Sequence, residues 1–362
     1  MSLRTAFSEK LGLRLPLIAA PMAGGPTTPD LVAACSAAGA LGSFGFAYTQ
    51  PEEMKRQAAS VRAKTDRPFG INLFVSPQPA AVAAEAQRAA LDAVAAYYKE
   101  LQLPKPEPVS SPYAPDLDAQ LAAVEAIKPR VFTVHLDSLS RDKVERFRKL
   151  GILVGGSATC AAEAQGLEAL GFDFVIAQGG EAGGHRGTYL RDPYQSLTGT
   201  LALTRIVLRA VKLPVVAAGG IMDGEGIAAV LALGAQAAQL GTAFIPCPES
   251  GASRVHKDSL LNATEDDTRV TEKFSGKPAR GVANRFMKEM ESAPQLVFPA
   301  QNTLTGKLRQ ASAKAGKPDF INMWAGQAAP LARALPAAEL IAQLETETLQ
   351  AIRHLKGLLH ES

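Results

Sequence analysis

Residues 214–245 read PVVAAGGIMDGEGIAAVLALGAQAAQLGTAFI. The runs at 214–221 and 235–245 are short, bounded by Pro and Gly, and apolar enough to be buried on both faces, as strands of a parallel sheet are. Residues 225–233 between them read as a helix that stops at Gly234, where glycine suits the left-handed turn that ends a helix. Strand, helix and strand in so short a space form a βαβ unit. Its two strands end in the glycine-bearing pairs Gly219–Gly220 and Gly241–Thr242.

The same alternation runs back to the N-terminus. Further buried-strand patterns are LIAAPM (17–22), ALGSFGF (40–46), FGINLFV (69–75), VFTVHL (131–136), ILVGGSA (152–158) and FDFVIAQG (172–179). Helical stretches separate them. Thr28 suits a cap, Pro29 a first helical position and Gly39 a stop, and the helix at 160–170 ends at Gly171. Eight strands alternating with helices close a ring, so the expected fold is α/β, a (β/α)8 TIM barrel. The barrel is assigned to residues 1–75, 128–245 and 331–362, with a closing helix at 334–357. Residues 76–127 and 246–330 interrupt the repeat, the second without a convincing strand. They are read as insertions above the barrel mouth, where long ordered loops serve as lids or binding walls.

Bulk properties narrow the function. The chain has 362 residues, 47% hydrophobic and 20% charged, with a net charge of +3. That is too weak a field to favour nucleic acid or an anionic membrane. Cys35, Cys160 and Cys247 are far apart and form no CxxC pair, so neither disulfides nor a metal site is indicated. No apolar run is long enough for a membrane helix and no leader pattern is evident, so a cytoplasmic protein is expected.

Barrel sites collect where strands end and the following loops emerge. Pro21 and Met22 end the first strand, Asn72 lies in the third, His135 ends the fourth and Gln178 the sixth. The glycines at 219, 220 and 241 let backbone N–H groups approach a phosphate, and the helix starting near Gly224 aims its positive end toward the same place. Asn72 and Gln178 each offer a donor and an acceptor, as the edge of a heterocycle such as isoalloxazine requires; capping a neighbouring loop is the alternative. No GxGxxG follows the first strand, which points to a mononucleotide rather than a dinucleotide. The stretch QGGEAGGHRG (178–187) delivers one titratable side chain, His185, from a loop of glycines. Glu181 and Arg186 are read as stabilising that loop by local pairing. His135 is read either as a rim residue facing substrate or as a core histidine.

The segments APMAGGPTTPDLVAACSAAGALG, NLFV, QGGEAGGHRG, AAGGIMDGEGIAAVLALGAQAAQLGTAF, QNTLTGKLR and WAGQ, in this order along nearly the whole chain, resemble the motifs of class I nitronate monooxygenases, formerly called 2-nitropropane dioxygenases. The resemblance implies an FMN-dependent barrel with a smaller, mainly helical substrate-binding domain. It implies that Pro21, Met22, Asn72 and Gln178 contact the isoalloxazine. Gly183, Gly219, Gly220, Gln239, Leu240, Gly241 and Thr242 would hold the ribityl chain and phosphate, with Gln327 helping to close the site. His185 would lie over the flavin as the catalytic residue, either removing an α-proton or facing the anion, and Lys307 would complement the anionic substrate. Relatives carry tyrosines before the QNTLTGKLR motif where this chain has Pro299, Ala300, Gln301 and Thr303; Tyr97, Tyr98 and Tyr113 are candidate substitutes. The implied reaction is oxidation of a nitronate, such as propionate 3-nitronate, by O2 through a flavin semiquinone to a carbonyl compound and nitrite. The partners are then the nitronate and O2, with the chain a monomer or a homodimer.

Other readings fit part of the pattern. An FMN barrel could take hydride from NAD(P)H, as quinone and enoyl-acyl carrier protein reductases do. An inosine-monophosphate-dehydrogenase-like barrel would need a nucleophilic cysteine, and Cys160, which starts a helix, reads better as a buried small residue. A barrel that only binds a phosphorylated metabolite would retain FMN without turnover.

Overall fold

The fold is given by a computed structural model that describes residues 3–77, 79 and 81–358. Eight parallel strands close into a barrel: β1 (Leu17–Ala19), β2 (Leu41–Gly45), β3 (Phe69–Phe74), β4 (Val131–His135), β5 (Leu153–Ala158), β6 (Phe174–Gln178), β8 (Val215–Ala218) and β9 (Ala237–Leu240). Closure is made by β9 against β1, with Leu17 opposite Ala238 and Ala19 opposite Leu240. Each expected strand is present, and the expected barrel is the observed one.

Alternation along the strands explains why ring and helices pack together. Ile18, Leu41, Val131, Leu153, Phe174, Ile176 and Val216 meet in the barrel interior with Phe7, Leu11 and Leu13. Phe7 comes from the short helix Ala6–Leu11 and packs on the Phe174 ring at a centroid distance of 5.0 Å. That contact closes the N-terminal end of the barrel. A Cβ at Gly155 would sit 2.2 Å from the Phe174 ring, so a glycine is required there for the ring to fill the interior. Alternate residues, among them Phe44, Ile71, Phe132, Val154 and Val175, face the surrounding helices.

The helix signals hold. Thr28 Oγ1 accepts from Leu31 N at 3.1 Å, Pro29 opens the helix Pro29–Ala37, and Gly39, Gly171 and Gly234 adopt φ of +94°, +88° and +107°. The terminal helix Ala337–Gly357 packs on the helices Gly224–Ala232 and Pro29–Ala37.

Helices Ala84–Glu100, Arg254–Leu261, Arg285–Glu289 and Ala300–Lys314 come from the segments that interrupt the repeat. Tyr97, Tyr98, Tyr113, Phe274, Phe286, Leu304, Leu308 and Phe320 form a second apolar cluster there. Helix Leu117–Ile127 instead gives Leu121, Val124 and Ile127 to the barrel's outer core. Residues 246–330 also contain strands, contrary to the sequence reading. β10 (Thr268–Thr271) and β11 (Ala279–Val282) are antiparallel, and β11 pairs with β7 (Gly184–His185) from the loop after β6. Each is four residues or fewer, and TRVT and ARGV carry an arginine apiece, so no apolar run marks them.

Candidate active site

A cavity of about 560 Å³ opens at the C-terminal ends of the barrel strands, a size within the range of roughly 300–1,000 Å³ usual for small-molecule sites. Of the residues expected to hold a cofactor, Pro21, Met22, Asn72, Gln178, Gly183, Gly219, Gly220, Gln239, Gly241 and Thr242 line it. Leu240 does not; its side chain is buried in the core behind β9. The Gln327 side chain is exposed, while its backbone N–H donates to Glu181 O at 2.9 Å and its neighbours Gly326 and Ala328 line the cavity.

At the ends of β8 and β9 the backbone is arranged for an anion. Gly219 and Gly220 have φ of +119° and +68°, a conformation that suits glycine. Among the described residues, the N–H groups of Gly219, Gly220, Gly241 and Thr242 find no protein acceptor. Backbone donors left unpaired at a cavity wall are the chemistry that receives a phosphate. The helix Gly224–Ala232 does not contribute as expected. Two of its first-turn amides are already taken, Gly224 N by Glu347 Oε2 at 3.0 Å and Gly226 N by Asp223 Oδ1 at 2.8 Å.

The two amide side chains are largely committed to the protein, each keeping one polar function. Asn72 Nδ2 donates to Thr133 O at 3.2 Å and to Thr133 Oγ1 at 2.9 Å, leaving Oδ1 as an acceptor. Gln178 Oε1 accepts from Gly187 N at 2.7 Å and from Arg186 Nη1 at 3.2 Å, while Nε2 donates to His185 O at 3.0 Å. One Gln178 N–H therefore remains. An acceptor, a donor and a cradle of amides on one wall fit an isoalloxazine and a phosphate.

The glycine-rich loop is shaped first by its own protein neighbours. A Cβ at Gly183 would meet Ala325 C at 2.6 Å, and one at Gly187 would meet the His135 ring at 2.6 Å. Arg186 is buried and donates to Gln178 O at 2.6 Å, Gly179 O at 2.8 Å and Ser196 O at 2.7 Å. Burial lowers its pKa to about 10. Glu181 accepts from Thr200 N and Thr200 Oγ1, each at 2.8 Å. Both charges do hold the loop, through backbone groups and a hydroxyl rather than by pairing with each other.

His185 sits where this loop becomes β7, opposite Ala279 of β11. It is 8% exposed, with Phe74, Phe298 and Trp324 rings at 5.4, 5.8 and 5.6 Å. Its Nε2 lies 2.9 Å from Ser275 Oγ, and its carbonyl accepts from both Gln178 and His135 Nε2 at 3.0 Å. Burial pushes the imidazole pKa down to about 3, assisted by the charges of His135, Lys277 and Arg309. The ring is therefore neutral in a positive field. His135 is both of the things the sequence allowed: it lines the cavity, and it is a satisfied histidine, with Nδ1 2.8 Å from Ser157 Oγ and a pKa lowered to about 4 by burial.

Lys307 does not reach this place. Its side chain is 72% exposed and lies 3.9 Å from Glu107. Two residues further along the same helix, Arg309 lines the cavity, with Nη2 donating to Asn302 O at 2.7 Å and Nε buried without a partner. Tyr97, Tyr98 and Tyr113 are buried in the second apolar cluster, and Tyr98 OH donates to Leu304 O at 2.7 Å. The tyrosine on the cavity wall is Tyr48, its hydroxyl buried and unpartnered. Sequence reading missed Tyr48 and Arg309. The only signal for Arg309 was its position at the end of QNTLTGKLR, a helix turn that faces inward where Lys307 faces out. Cys160 is buried beside its helix start, as expected.

A closed (β/α)8 barrel with a phosphate-type cradle, a heterocycle edge and a buried imidazole at its C-terminal mouth defines a barrel oxidoreductase of the flavin-dependent class. The nitronate monooxygenase family model matches residues 4–347. The nitronate monooxygenase of Paraburkholderia phytofirmans is 43% identical over 98% of this chain and 97% of its own length. A probable nitronate monooxygenase of Staphylococcus aureus is 34% identical, over 97% and 99%. Among solved structures, nitroalkane oxidase from Streptomyces ansochromogenes superposes with a TM-score of 0.90 at 39% identity, covering 97% of this chain and all of that one. FabK from Thermotoga maritima superposes at 0.75 with 28% identity, over 99% and 100%. The chain belongs to the nitronate monooxygenase family, and it is an enzyme, an oxidoreductase acting on a small molecule. Among the described residues, no helix is long and apolar enough to cross a membrane.

Proposed function

We propose that this chain uses FMN to oxidise alkyl nitronates with O2, giving a carbonyl compound and nitrite, and that propionate 3-nitronate is a natural substrate. The observation that carries the reading is the buried His185 on the cavity wall, held neutral by burial, with the cationic side chains of Lys277 and Arg309 close enough to act on it. Such a field attracts a delocalised anion.

The chain's own residues divide the work. The N–H groups of Gly219, Gly220, Gly241 and Thr242 hold the phosphate, and Asn72 Oδ1 and the remaining Gln178 N–H address the ring edge. Pro21 and Met22 line the cavity beside them. The bound flavin supplies the electron acceptor that can pass electrons on to O2. Phe74, Phe298 and Trp324 keep water from the His185 ring. Arg309 and Tyr48 offer donors to the substrate anion.

The test is aerobic turnover of propionate 3-nitronate by wild type and His185→Asn, followed by oxygen uptake and nitrite release. Wild type should consume oxygen and release nitrite, and the variant should lose about a hundredfold in rate. Equal rates would remove His185 from the reaction. Rapid anaerobic bleaching by NADH, with no turnover of nitronate, would favour the reductase reading.

A further inference from the structure

Helix Ala300–Lys314 turns one face to the cavity: Asn302, Gly306, Arg309 and Ala313 line it at the spacing of successive helical turns. The helix does not explain the glycine in that row. Glycine is among the poorest residues for a helix interior, and Gly306 has no positive φ that would call for it. Packing does not call for it either. Among the described residues, and apart from the helix's own backbone, a Cβ there would come within 4 Å of Arg309 Nη2 alone, at 3.9 Å. Gly183 and Gly187 differ, since a Cβ at either would strike backbone or a ring at 2.6 Å. The space beside Gly306 is therefore cavity and not core.

Arg309 uses that space. Its side chain folds back along the helix past Gly306, and Nη2 donates to Asn302 O at 2.7 Å and to Asn302 Oδ1 at 2.9 Å. Asn322, with its amide turned so that Oδ1 faces both donors, accepts from Arg309 Nη1 at 3.3 Å and from Trp324 Nε1 at 3.0 Å. These acceptors are all uncharged. Arg309 Nε is buried without a partner, and so is the hydroxyl of Tyr48, a residue near enough to feel the guanidinium charge. Arginine keeps its charge at neutral pH, and a desolvated charge held only by neutral groups lacks its counter-ion.

Arg309 and His185 are separate addresses on the cavity wall. The Trp324 ring lies 5.6 Å from the His185 ring and its Nε1 shares Asn322 Oδ1 with Arg309, so an indole and an amide link imidazole to guanidinium. The phosphate cradle belongs to the ends of β8 and β9, which leaves the guanidinium for another anion.

We propose that Asn302, Gly306 and Arg309 form a carboxylate subsite for the end of the substrate remote from its nitronate group, and that Gly306 determines specificity by leaving the guanidinium uncovered. The inference rests on the functional reading above and deepens it: the chain selects nitronates that carry a carboxylate over plain alkyl nitronates. The planar fork of an arginine matches a carboxylate, and Tyr48 OH can donate to the same group. A methyl group at position 306 stays at ordinary contact distance from the fork, whereas a longer side chain covers it.

Kinetics and calorimetry test this. In wild type, kcat/KM for propionate 3-nitronate should exceed that for propyl-1-nitronate, in which a methyl group replaces the carboxylate, by about thirtyfold. Arg309→Met and Gly306→Leu should each bring that ratio to within about threefold of one. Gly306→Ala should keep most of the preference and raise the melting temperature. A wild-type ratio near one would overturn the proposal. Equal losses on both substrates in Arg309→Met would overturn it too, by placing the nitronate group itself on the guanidinium. Isothermal titration calorimetry of the holoprotein with succinate reads the subsite without turnover, and Arg309→Met should raise the Kd at least about tenfold. Unchanged affinity in the variant, or no binding to wild type, would count against the subsite. If Arg309→Met does not fold, Gly306→Leu carries both measurements. If wild type oxidises neither nitronate, the functional reading fails, and succinate binding still decides the subsite.

Discussion

His135 Nε2 donates to the backbone carbonyl of His185 at 3.0 Å, so one cavity histidine sets the position of the other through its main chain. His135 is anchored at its other nitrogen by Ser157 Oγ at 2.8 Å. Replacing it with leucine removes one of the two side-chain donors on that carbonyl and leaves Gln178 alone. A lost hydrogen bond of this kind costs about 1 kcal/mol, and a loosened imidazole costs rate as well. His135→Leu is expected to lower the melting temperature slightly and kcat/KM by about tenfold while flavin is retained. Unchanged kinetics would show that the carbonyl contact does not position the ring.

Stability should fall on mild acidification. Burial depresses the pKa of His185 to about 3 and those of His135 and His256 to about 4, whereas an unfolded histidine titrates near 6.5. Below that value the unfolded chain binds protons that the folded chain refuses. The contribution is fully present above about pH 6.5 and is lost progressively toward pH 4, amounting to a few kcal/mol. Urea midpoints measured between pH 7.5 and 4.5 should decline, and His185→Asn should reduce the slope. A midpoint independent of pH over that window would contradict the burial of neutral imidazoles.

The barrel was legible because each strand is a buried run that names itself, and because Gly39, Gly171 and Gly234 stop the helices where φ must be positive. The strand-end residues followed from the architecture alone. What was not legible depends on distant pairing. β7 is two residues long, and it becomes a strand only because Arg280 and Ala279 arrive from about a hundred residues later to pair with it. The same holds for Gly224, whose amide looked available for a phosphate until Glu347 of the terminal helix took it. Ser275 carries no local signal, since a serine in a turn is usually explained by the turn.

The choice between Lys307 and Arg309 gives a sharp contrast. Both lie on helix Ala300–Lys314, but only Arg309 reaches the cavity, and its buried Nε lacks a partner. A charged hydrogen bond is worth about 2 kcal/mol, or some thirtyfold in binding. Arg309→Met should therefore raise KM for propionate 3-nitronate by roughly this factor, and Lys307→Ala should leave it unchanged. The reverse result would mean that the lysine, despite its exposure, swings in to meet substrate.

The cofactor cradle can be tested without turnover. Gly219 holds φ at +119°, and a Cβ there would meet Thr200 Oγ1 at 2.8 Å, the hydroxyl that lies 2.8 Å from both Gly219 O and Glu181 Oε2. Alanine at this position must either strain the backbone or tilt the peptide, and the strain is of the order of 1–3 kcal/mol. Tilting would turn the N–H groups of Gly219 and Gly220 away from a phosphate, which prefers donors held in place. Gly166→Ala is the matched control, since its Cβ meets nothing within 4 Å and the residue lies inside helix Ala161–Ala169, where alanine is favoured. Flavin fluorescence titration of the apoprotein should give Gly219→Ala a Kd for FMN raised about tenfold or more, with riboflavin binding affected much less because it lacks the phosphate. Equal weakening toward FMN and riboflavin would place the phosphate elsewhere in the cavity.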